Sequence, residues 1–299
     1  MDHPQYDAFS HCHPAVNFLF FAAVLYGSVT FTHPVFLVVS FLCAFAYSVK
    51  RSGKRAVVFN LCLLPLVFCF ALYYSSYHHF GVTVLRQNFI GNNLTVESFV
   101  YGLVIGLRGA TVCMWLSCLN RIVSSDKVVY LFGKVSPLLS LFLTILLRMV
   151  PRTKQEAQRI DLAQKGIGRG SNQGNLWQRF INCLRIFSML ITWMISALAL
   201  EADSMRSRGS LLRGRTAFSI YRFDNRDRAF VIALFSCITL TAMGVILGAT
   251  EMLYNPRIIW KPMDAMNSAT AIGYTVLCLL PMGLELWTEY RFRKARCES

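Results

Sequence analysis

Two arginine–glycine pairs in the central part of the chain have side chains suited to binding chemistry. They are Arg169-Gly170 and Arg208-Gly209, and each follows a stretch that predicts a long helix. Glycine readily takes the left-handed conformation that ends a helix, and a basic side chain in the last turn faces the negative end of the helix dipole. An arginine there can donate several charge-assisted hydrogen bonds to carboxylates. The pairs are typical of caps and lipid-headgroup contacts and, because two helices share the design, of docking points for a cytoplasmic partner.

The sequence contains no pattern for catalysis or nucleotide hydrolysis. The phosphate-binding pattern G-x-x-x-x-G-K-[ST] does not occur, so we expect no ATP site of the P-loop type. The 15 acidic residues are too dispersed to predict a cluster of catalytic carboxylates. We therefore expect that the chain is not an enzyme, has no catalytic residues and holds no cofactor.

Histidines near the start of the chain raise the question of a metal site. His11, Cys12 and His13 are adjacent, and His78 and His79 form a second pair. The two groups could share a metal ion only if they lay on one side of a membrane, and the topology below places them on opposite sides. We therefore expect no metal site. The ten cysteines contain no C-x-x-C pair and lie mostly in apolar segments, where thiols behave as small hydrophobic groups.

Composition places the chain among polytopic membrane proteins. Of its 299 residues 55% are hydrophobic, and the mean hydropathy is +0.46. A net charge of +15 in a soluble protein would favour nucleic acid as a partner. Here the apolar segments favour a topological origin for that charge, and we expect membrane lipid and no nucleic acid as a partner.

The fold class that we predict is all-α, with about six transmembrane helices and two long amphipathic helices on the cytoplasmic side. Residues 1–120 would hold four spans, residues 121–228 the cytoplasmic helices, and residues 229–299 two spans and a basic tail. The predicted spans are residues 15–31, 35–49, 56–74, 96–119, 229–250 and 265–287.

The distribution of positive charge sets the orientation of this topology. The predicted inner segments contain 26 of the 30 lysines and arginines, as the positive-inside rule requires. Both termini would then be cytoplasmic, and the chain would be a multi-pass membrane protein.

The two central apolar runs are predicted to lie along the membrane and not across it. They cover residues 135–147 and 186–200, only 13 and 15 residues, whereas a crossing helix needs about 20. The segment between them is strongly basic, which is typical of a cytoplasmic and not an exported loop. In the first helix, pairs four residues apart should support the helix, namely Arg152 with Glu156 and Asp161 with Lys165.

Arg108 is the single basic residue inside a predicted span. Ionisable side chains are rare at such positions and suggest a functional role. Gly102, Gly106 and Ala110 form a small-residue face on the same helix that permits close packing. A structural anchor that bonds carbonyls or an acid of a neighbouring helix is the favoured interpretation, and a part in translocation is the alternative. Glu285 and Glu289 lie near the inner end of the last span. This position favours contact with the membrane interface over a role in a proton path.

Two motifs in the central region resemble the transmembrane (T) component of energy-coupling factor transporters, the family that includes the membrane subunit of cobalt importers. The His13-Pro14 pair and the order of spans and cytoplasmic helices are similar to this family as well. The first motif comprises Arg148, Pro151, Glu156, Ala157, Ile160, Ala163 and Gln164. The second comprises Glu201, Ala202, Met205, Arg208 and Gly209.

One part of the first motif departs from the family pattern. The family has Ala-Arg-Gly soon after the Ala-Gln pair, whereas this chain reads Lys165-Gly166-Ile167-Gly168, and its Arg169-Gly170 is displaced by two residues. The resemblance implies a transport scaffold that couples two ATP-binding cassette ATPase subunits to a separate substrate-binding membrane (S) component, which selects a vitamin or transition-metal ion. It also implies a location in a prokaryotic cell (inner) membrane. The coupling residues that it implies are Arg208, Gly209, Arg169, Gly170, Glu201, Met205, Ala163 and Gln164.

Two other functions stay open from the residues alone. A stand-alone secondary transporter would be expected to show matching halves with broken helices at the midplane, and the two halves of this chain are dissimilar. An integral membrane enzyme would need acidic, histidine or serine side chains that converge at one membrane depth.

Overall fold

A computed structural model describes residues 8–78, 80–87, 93–209, 221, 223–255, 257–259, 262 and 264–298. Its elements are mostly helical, as the predicted all-α fold class requires. In chain order they are α1 (Pro14–Thr30), α2 (Pro34–Ser52), α3 (Lys54–Tyr77), β1 (Val84–Gln87), β2 (Asn93–Thr95), α4 (Val96–Ile122), α5 (Ser125–Val135), α6 (Pro137–Gly166), α7 (Leu176–Ser207), α8 (Asn225–Ile246) and α9 (Ala265–Glu298). They form two compact units, one of residues 1–124 and 221–299 and one of residues 125–220.

Six of these helices are long and apolar enough to cross a membrane, which is the architecture of a multi-pass membrane protein. They are α2, α3, α4, α7, α8 and α9. The number agrees with the sequence prediction, but the set differs. Helix α1, predicted as a span, has 17 residues and a length of about 26 Å, shorter than the roughly 30 Å hydrocarbon core.

The sequence prediction was wrong to exclude α7 as a span on length. Counting the apolar run from residue 186 left out the apolar residues that precede Arg185. In the structure α7 is one unbroken helix of 32 residues, and a single arginine does not interrupt it. Its apolar part is therefore long enough to cross, and other properties must decide its orientation.

Histidine–proline pairs start the first two helices. Proline suits the first helical position because its missing N–H would have no partner there and its backbone angle already fits the helix. In front of each proline a histidine accepts a backbone hydrogen bond through Nδ1, His13 from the N–H of Ala15 (3.3 Å) and His33 from that of Val35 (3.4 Å). Gly53, with φ of 58°, makes the tight turn between α2 and α3.

The core of the first unit combines buried aromatic rings with hydrogen-bonded polar side chains. Trp115 of α4 is fully buried and makes edge contacts with Phe20 and Phe21 of α1. Ser40 of α2 accepts hydrogen bonds from the indole N–H of Trp115 (3.4 Å) and the hydroxyl of Tyr274 in α9 (3.0 Å). These contacts hold α1, α2, α4 and α9 together. They also give the indole N–H and the two hydroxyls hydrogen-bond partners, which polar groups need inside a membrane.

Close packing of α3 against α4 depends on glycine. A Cβ at Gly102 would lie 3.1 Å from the Cα of Ala71, and a Cβ at Gly106 would lie 3.1 Å from Val67 Cγ1. Both glycines face α3, so the small-residue face predicted from the sequence is the one that the neighbouring helix uses.

The second unit contains α5, α6 and α7. Helix α5 packs on α6, and the hydroxyl of Ser140 in α6 donates to the carbonyl of Val129 (3.2 Å). Helix α6 has 30 residues and leads through a short connection into α7. Asn175 caps α7 with a reciprocal pair of bonds to Gln178, an arrangement that satisfies two free backbone N–H groups.

Candidate functional site

Helices α6 and α7 form an antiparallel hairpin, which carries all the residues that the two motifs single out. Contacts along its length run in opposite directions on the two helices, so that the end of α6 meets the start of α7. From the loop end to the open end they are Asn182 Nδ2 to the Gly170 carbonyl (3.2 Å), Gln164 Nε2 to Met189 Sδ (3.8 Å), Thr153 Oγ1 to Met194 Sδ (3.6 Å) and Arg148 Nη1 to Glu201 Oε1 (3.7 Å).

The two arginine–glycine pairs differ in geometry, which the sequence did not predict. Arg208 is the C-cap residue of α7, and Gly209 follows with φ of 72° in the left-handed region. Helix α6 instead ends at Gly166, and the left-handed residue is Gly168, with φ of 79°. Arg169 lies beyond that stop, where its backbone N–H bonds the Gln164 carbonyl (2.9 Å). The expectation that Arg169-Gly170 ends α6 is therefore wrong.

Gly170 is part of a fixed loop and not a helix stop. Its N–H donates to Gln173 Oε1 (2.9 Å), its carbonyl accepts from Asn182, and the residue is buried. The Arg169 side chain beside it is exposed. The loop thus presents an arginine to the surroundings on a well-anchored backbone, although it does so by a turn and not by a cap.

Asp161 ties this loop to the last turns of α6. Its Oδ2 lies 2.6 Å from Lys165 Nζ, and its Oδ1 accepts from the N–H of Ser171 (2.9 Å). These hydrogen bonds, that of Lys165 first, lower the pKa of Asp161 to about 2. The predicted Asp161–Lys165 pair is thus confirmed, whereas Glu156 pairs with Arg159 (3.3 Å) and not with Arg152 as predicted.

The open end of the hairpin has a groove of about 510 Å³ between α6 and α7. Glu201 and Met205 line it with Arg208, because positions four and seven apart share one face of a helix. Helix α6 contributes Arg148 and Arg152. Sequence reasoning did not assign Arg152 to this site, although its spacing of four from Arg148 places both on one face.

Three arginines and one carboxylate line this groove. Arg148 lies 3.7 Å from Glu201, but 66% of its side chain is exposed, so the pair is a weak one. Glu201 is only 16% exposed, and its Oε2 is buried without a hydrogen-bond partner among the described residues. Trp193, Ser196 and Ser204 add an apolar floor and two hydroxyls. Such a groove can bind an anion and can also accept a hydrogen bond.

The predicted coupling residues fall into two groups at opposite ends of the hairpin. Glu201, Met205, Arg208 and Gly209 lie at the open end, and Ala163, Gln164, Arg169 and Gly170 lie at the loop end. Helix α7 extends 26 residues from Asn182, beside Gly170, to Arg208, a distance of about 39 Å. The structure therefore does not join the two arginine–glycine pairs into one site.

One face of α7 is apolar and exposed along most of the helix. Its members recur every three or four residues, as one face of a helix requires. They are Trp177, Phe180, Leu184, Phe187, Ile191, Ile195 and Leu198. We call this face the apolar stripe. Most of the groove lies on another side of α7, because Ser204 follows Ile195 by nine residues, or two and a half helical turns. Met205 follows Phe187 by 18 residues, or five turns, so one edge of the groove borders the stripe.

Arg108 lies in the first unit and contacts backbone, not ligand-binding groups. Its Nη2 donates to the carbonyl of Phe31, just after α1, at 3.0 Å. The neighbouring turn is held in place as well, because Tyr254 donates its hydroxyl to the Thr32 carbonyl (2.8 Å). This is the kind of contact that an anchoring role requires. At the other end of the unit, Lys50 pairs with Glu285 (3.6 Å) and Glu289 (3.3 Å).

The histidines considered as metal ligands have other contacts. His13 caps α1, and His78 stacks on Tyr74 with ring centroids 4.2 Å apart. His79 lies outside the described residues. Within the described part of the chain, no three histidine, cysteine or acidic side chains come together in a way that could hold a metal ion.

Comparison with known proteins supplies no further assignment for this site. No protein-family model and no curated protein matches the sequence of this chain.

Proposed function

We propose that this chain is the membrane scaffold of an ATP-driven importer of the energy-coupling factor type. It would transmit the motion of two ATP-binding cassette ATPase subunits to a separate substrate-binding membrane (S) component that carries a vitamin or a transition-metal ion. The observation that carries the proposal is the α6–α7 hairpin, one unit that presents exposed arginines at two ends about 39 Å apart. Two separated contacts suit two ATPase subunits better than one compact ligand.

The pairing of α6 with α7 favours a hairpin that lies along the membrane. Apolar α7 residues Met189 and Met194 contact Gln164 and Thr153 of α6. If α7 crossed the bilayer, the α6 residues between those two contacts would enter the hydrocarbon alongside it. The charged residues in that segment are Lys154, Glu156, Arg159 and Asp161. Each buried charge would cost about 2.5–3.5 kcal/mol or more, so a crossing is disfavoured.

The apolar stripe of α7 supports the same orientation. A helix with one apolar face and basic residues elsewhere binds in the interface, with the apolar face toward the acyl chains. Arg179 and Arg185 of α7 are both exposed and lie off the stripe. In this orientation the hairpin rests on the cytoplasmic surface of the cell membrane, and most of the groove faces water. Both termini are then cytoplasmic because α1, whose 17 residues meet the lower limit for a crossing helix, is the sixth span beside α2, α3, α4, α8 and α9.

Hydrolysis would belong to the partners, because the chain itself has no P-loop sequence. An exposed arginine at a helix end can bind carboxylates of a partner groove through paired N–H groups. Removing an arginine that becomes desolvated at an interface typically costs about 2–5 kcal/mol, since the partner's acid stays unpaired. The first unit, whose helices α2, α3, α4, α8 and α9 are long and apolar enough to cross the membrane, would hold the S component.

The test is charge reversal at Arg208 in the full chain, co-expressed with the ATPase subunits of its host and purified from membranes. We expect Arg208→Glu to insert normally and to lose the ATPase subunits or the coupling of hydrolysis to uptake. Arg169→Glu should have the same effect but more weakly, because its motif is displaced. The matched control is Arg206→Glu, which makes the same charge change two residues away in the last turn of α7.

Three possible results distinguish docking through Arg208 from general electrostatics and from transport by the chain alone. Loss with Arg208→Glu and retention with Arg206→Glu support docking through Arg208. Equal loss with both variants would favour general electrostatics at the membrane surface. Uptake by the chain alone, without ATPase subunits, would contradict the scaffold role and support a secondary transporter.

A further inference from the structure

We infer that the groove between α6 and α7 binds an acidic segment of the cytoplasmic ATPase partner, with Arg148 and Arg152 as its receiving groups. The inference rests on the proposed function and extends it, because it adds a second contact beside the arginine ends. Neither Arg148 nor Arg152 is part of an arginine–glycine pair, so the inference assigns partner contact to residues that the motifs did not single out, beside Arg208 in the same groove.

Charge identifies the kind of group that the groove accepts. Arg148 and Arg152 are one helical turn apart on α6, and both line the groove together with Arg208. Glu201 is the one carboxylate among the lining residues, and its distance of 3.7 Å from Arg148 leaves that arginine free to bind a second acid. A carboxylate placed between two arginines would receive hydrogen bonds from both.

The buried oxygen of Glu201 adds a second requirement. Its Oε2 has no hydrogen-bond partner among the described residues, and an unpaired buried acceptor is unfavourable. A segment that enters the groove can remove this cost if it brings a donor, such as a lysine, an amide or a hydroxyl, close to its acid. The groove therefore fits a segment that carries both an acidic and a donating side chain.

The position of the groove selects a protein over a lipid as the occupant. The apolar stripe, which suits a lipid surface, lies on the face of α7 opposite Ser204 in the groove. When the stripe contacts the membrane, Ser204 and Leu200 face away from it, and only the edge of the groove at Met205 stays near the membrane surface. The Trp193 and Leu200 side chains that line it also offer apolar contact that a free phosphate ion would not use.

A zero-length carbodiimide cross-link tests the inference directly, because the reagent joins an amine to a carboxylate and leaves arginine unreacted. We use membranes that contain the full chain with its co-expressed ATPase subunits. Arg152→Lys keeps the positive charge and makes the groove reactive. Arg185→Lys makes the same change at an exposed position of α7 outside the groove.

We expect Arg152→Lys to yield a new product in which position 152 is joined to an aspartate or glutamate of an ATPase subunit, absent from wild type and from Arg185→Lys. We also expect Arg152→Glu to weaken ATPase binding roughly 10-fold or more, and Arg159→Glu, which lies outside the groove, to weaken it less than about 2-fold. A product that joins position 152 only to this chain's own acids, or to a lipid carboxylate, would overturn the inference.

The same membranes separate failure of this inference from failure of the proposed function. If Arg208→Glu releases the ATPase subunits while the Arg152 variants behave as their controls do, the groove contact is wrong and the scaffold role stands. If the wild-type chain holds no ATPase subunit at all, both are wrong.

Discussion

The first unit, which we call the membrane unit, differs from the α6–α7 hairpin in the burial of a tryptophan side chain. In the membrane unit, Trp115 is completely buried and its indole N–H bonds Ser40. In the hairpin, Trp177 is 71% exposed and belongs to an apolar stripe. The membrane unit buries Trp115 in its core, although it also leaves Trp287 of α9 64% exposed, whereas the hairpin leaves a continuous apolar face uncovered. A long exposed apolar face of this kind is typical of a contact surface.

Charged residues show the same contrast. In the membrane unit, Lys50 is shared by two acids, Glu285 and Glu289. In the groove, three arginines accompany the single acid Glu201, which pairs with Arg148. An excess of positive charge on an exposed surface attracts acidic partners and speeds their binding. The difference is the one expected if the second unit recognises a partner, as we propose.

The largest expected effect compares the two tryptophans. Trp115→Ala would leave a cavity among four helices and remove the bond to Ser40, so we expect a loss of about 3–5 kcal/mol in stability. Trp177→Ala removes an exposed side chain and should change the stability of the detergent-solubilised protein by less than about 0.5 kcal/mol. Thermal unfolding, followed by size-exclusion chromatography of the heated protein, measures both. Similar losses for the two variants would contradict the contrast between the units.

A second comparison concerns arginine in the two units. Arg108→Leu removes the donor to the Phe31 carbonyl, and an unpaired carbonyl in this setting costs about 1–3 kcal/mol. We expect a lower yield of monodisperse protein, while the molecules that fold still bind the ATPase subunits. Arg185→Leu, at an exposed position of α7, should leave the yield unchanged. Normal yield of Arg108→Leu with no uptake would instead favour a direct part in translocation.

The smallest effect concerns Asp161 at the loop end of the hairpin. Its pKa lies at about 2, below the ordinary value of 3.8, because Lys165 and the Ser171 N–H bond the ionised form. The stability that these bonds contribute is therefore present above about pH 4 and is lost as the pH falls toward 2. We expect the Ser171 amide to lose protection from hydrogen exchange over that interval, after correction for the intrinsic exchange rate.

Asp161→Asn supplies the control for this pH dependence, because an amide does not titrate. In that variant the protection of Ser171 should be lower at neutral pH and should not change between pH 4 and pH 2. If the wild-type chain showed the same protection across the interval, the bond from Ser171 to Asp161 would not be the one that holds the loop.

Much of the fold could be predicted from the sequence, because apolar segments and charge patterns specify membrane helices strongly. Gly102 and Gly106 were assigned to a packing face from spacing alone, and α3 occupies that face. The extent of α7 was missed because a single charge at Arg185 was taken as the end of an apolar run. In a continuous helix such a charge occupies one position on one face and leaves the rest of the helix apolar.

The candidate site was only partly predictable, and the reasons are geometric. The spacing of Glu201, Met205 and Arg208 placed them on one face, and they line one groove. The C-terminal end of α6 could not be predicted from Arg169-Gly170, because three glycines lie close together in this part of the sequence. Only the backbone angles show that Gly168 is the one in the left-handed conformation. Arg152 escaped notice because it was assigned to Glu156, and only the structure shows that Glu156 bonds Arg159.

The most direct test of the central claim asks on which side of the membrane the two ends of α7 lie. In a variant without native cysteines, single cysteines at Asn172, before α7, and Ser204, near its end, are exposed to a membrane-impermeant maleimide in intact and permeabilised cells. A cysteine at Asn255, in a predicted outer loop, is the positive control. A hairpin along the cytoplasmic surface predicts that Asn172 and Ser204 are labelled only after permeabilisation. Labelling of either position in intact cells would make α7 a crossing helix and would contradict the account.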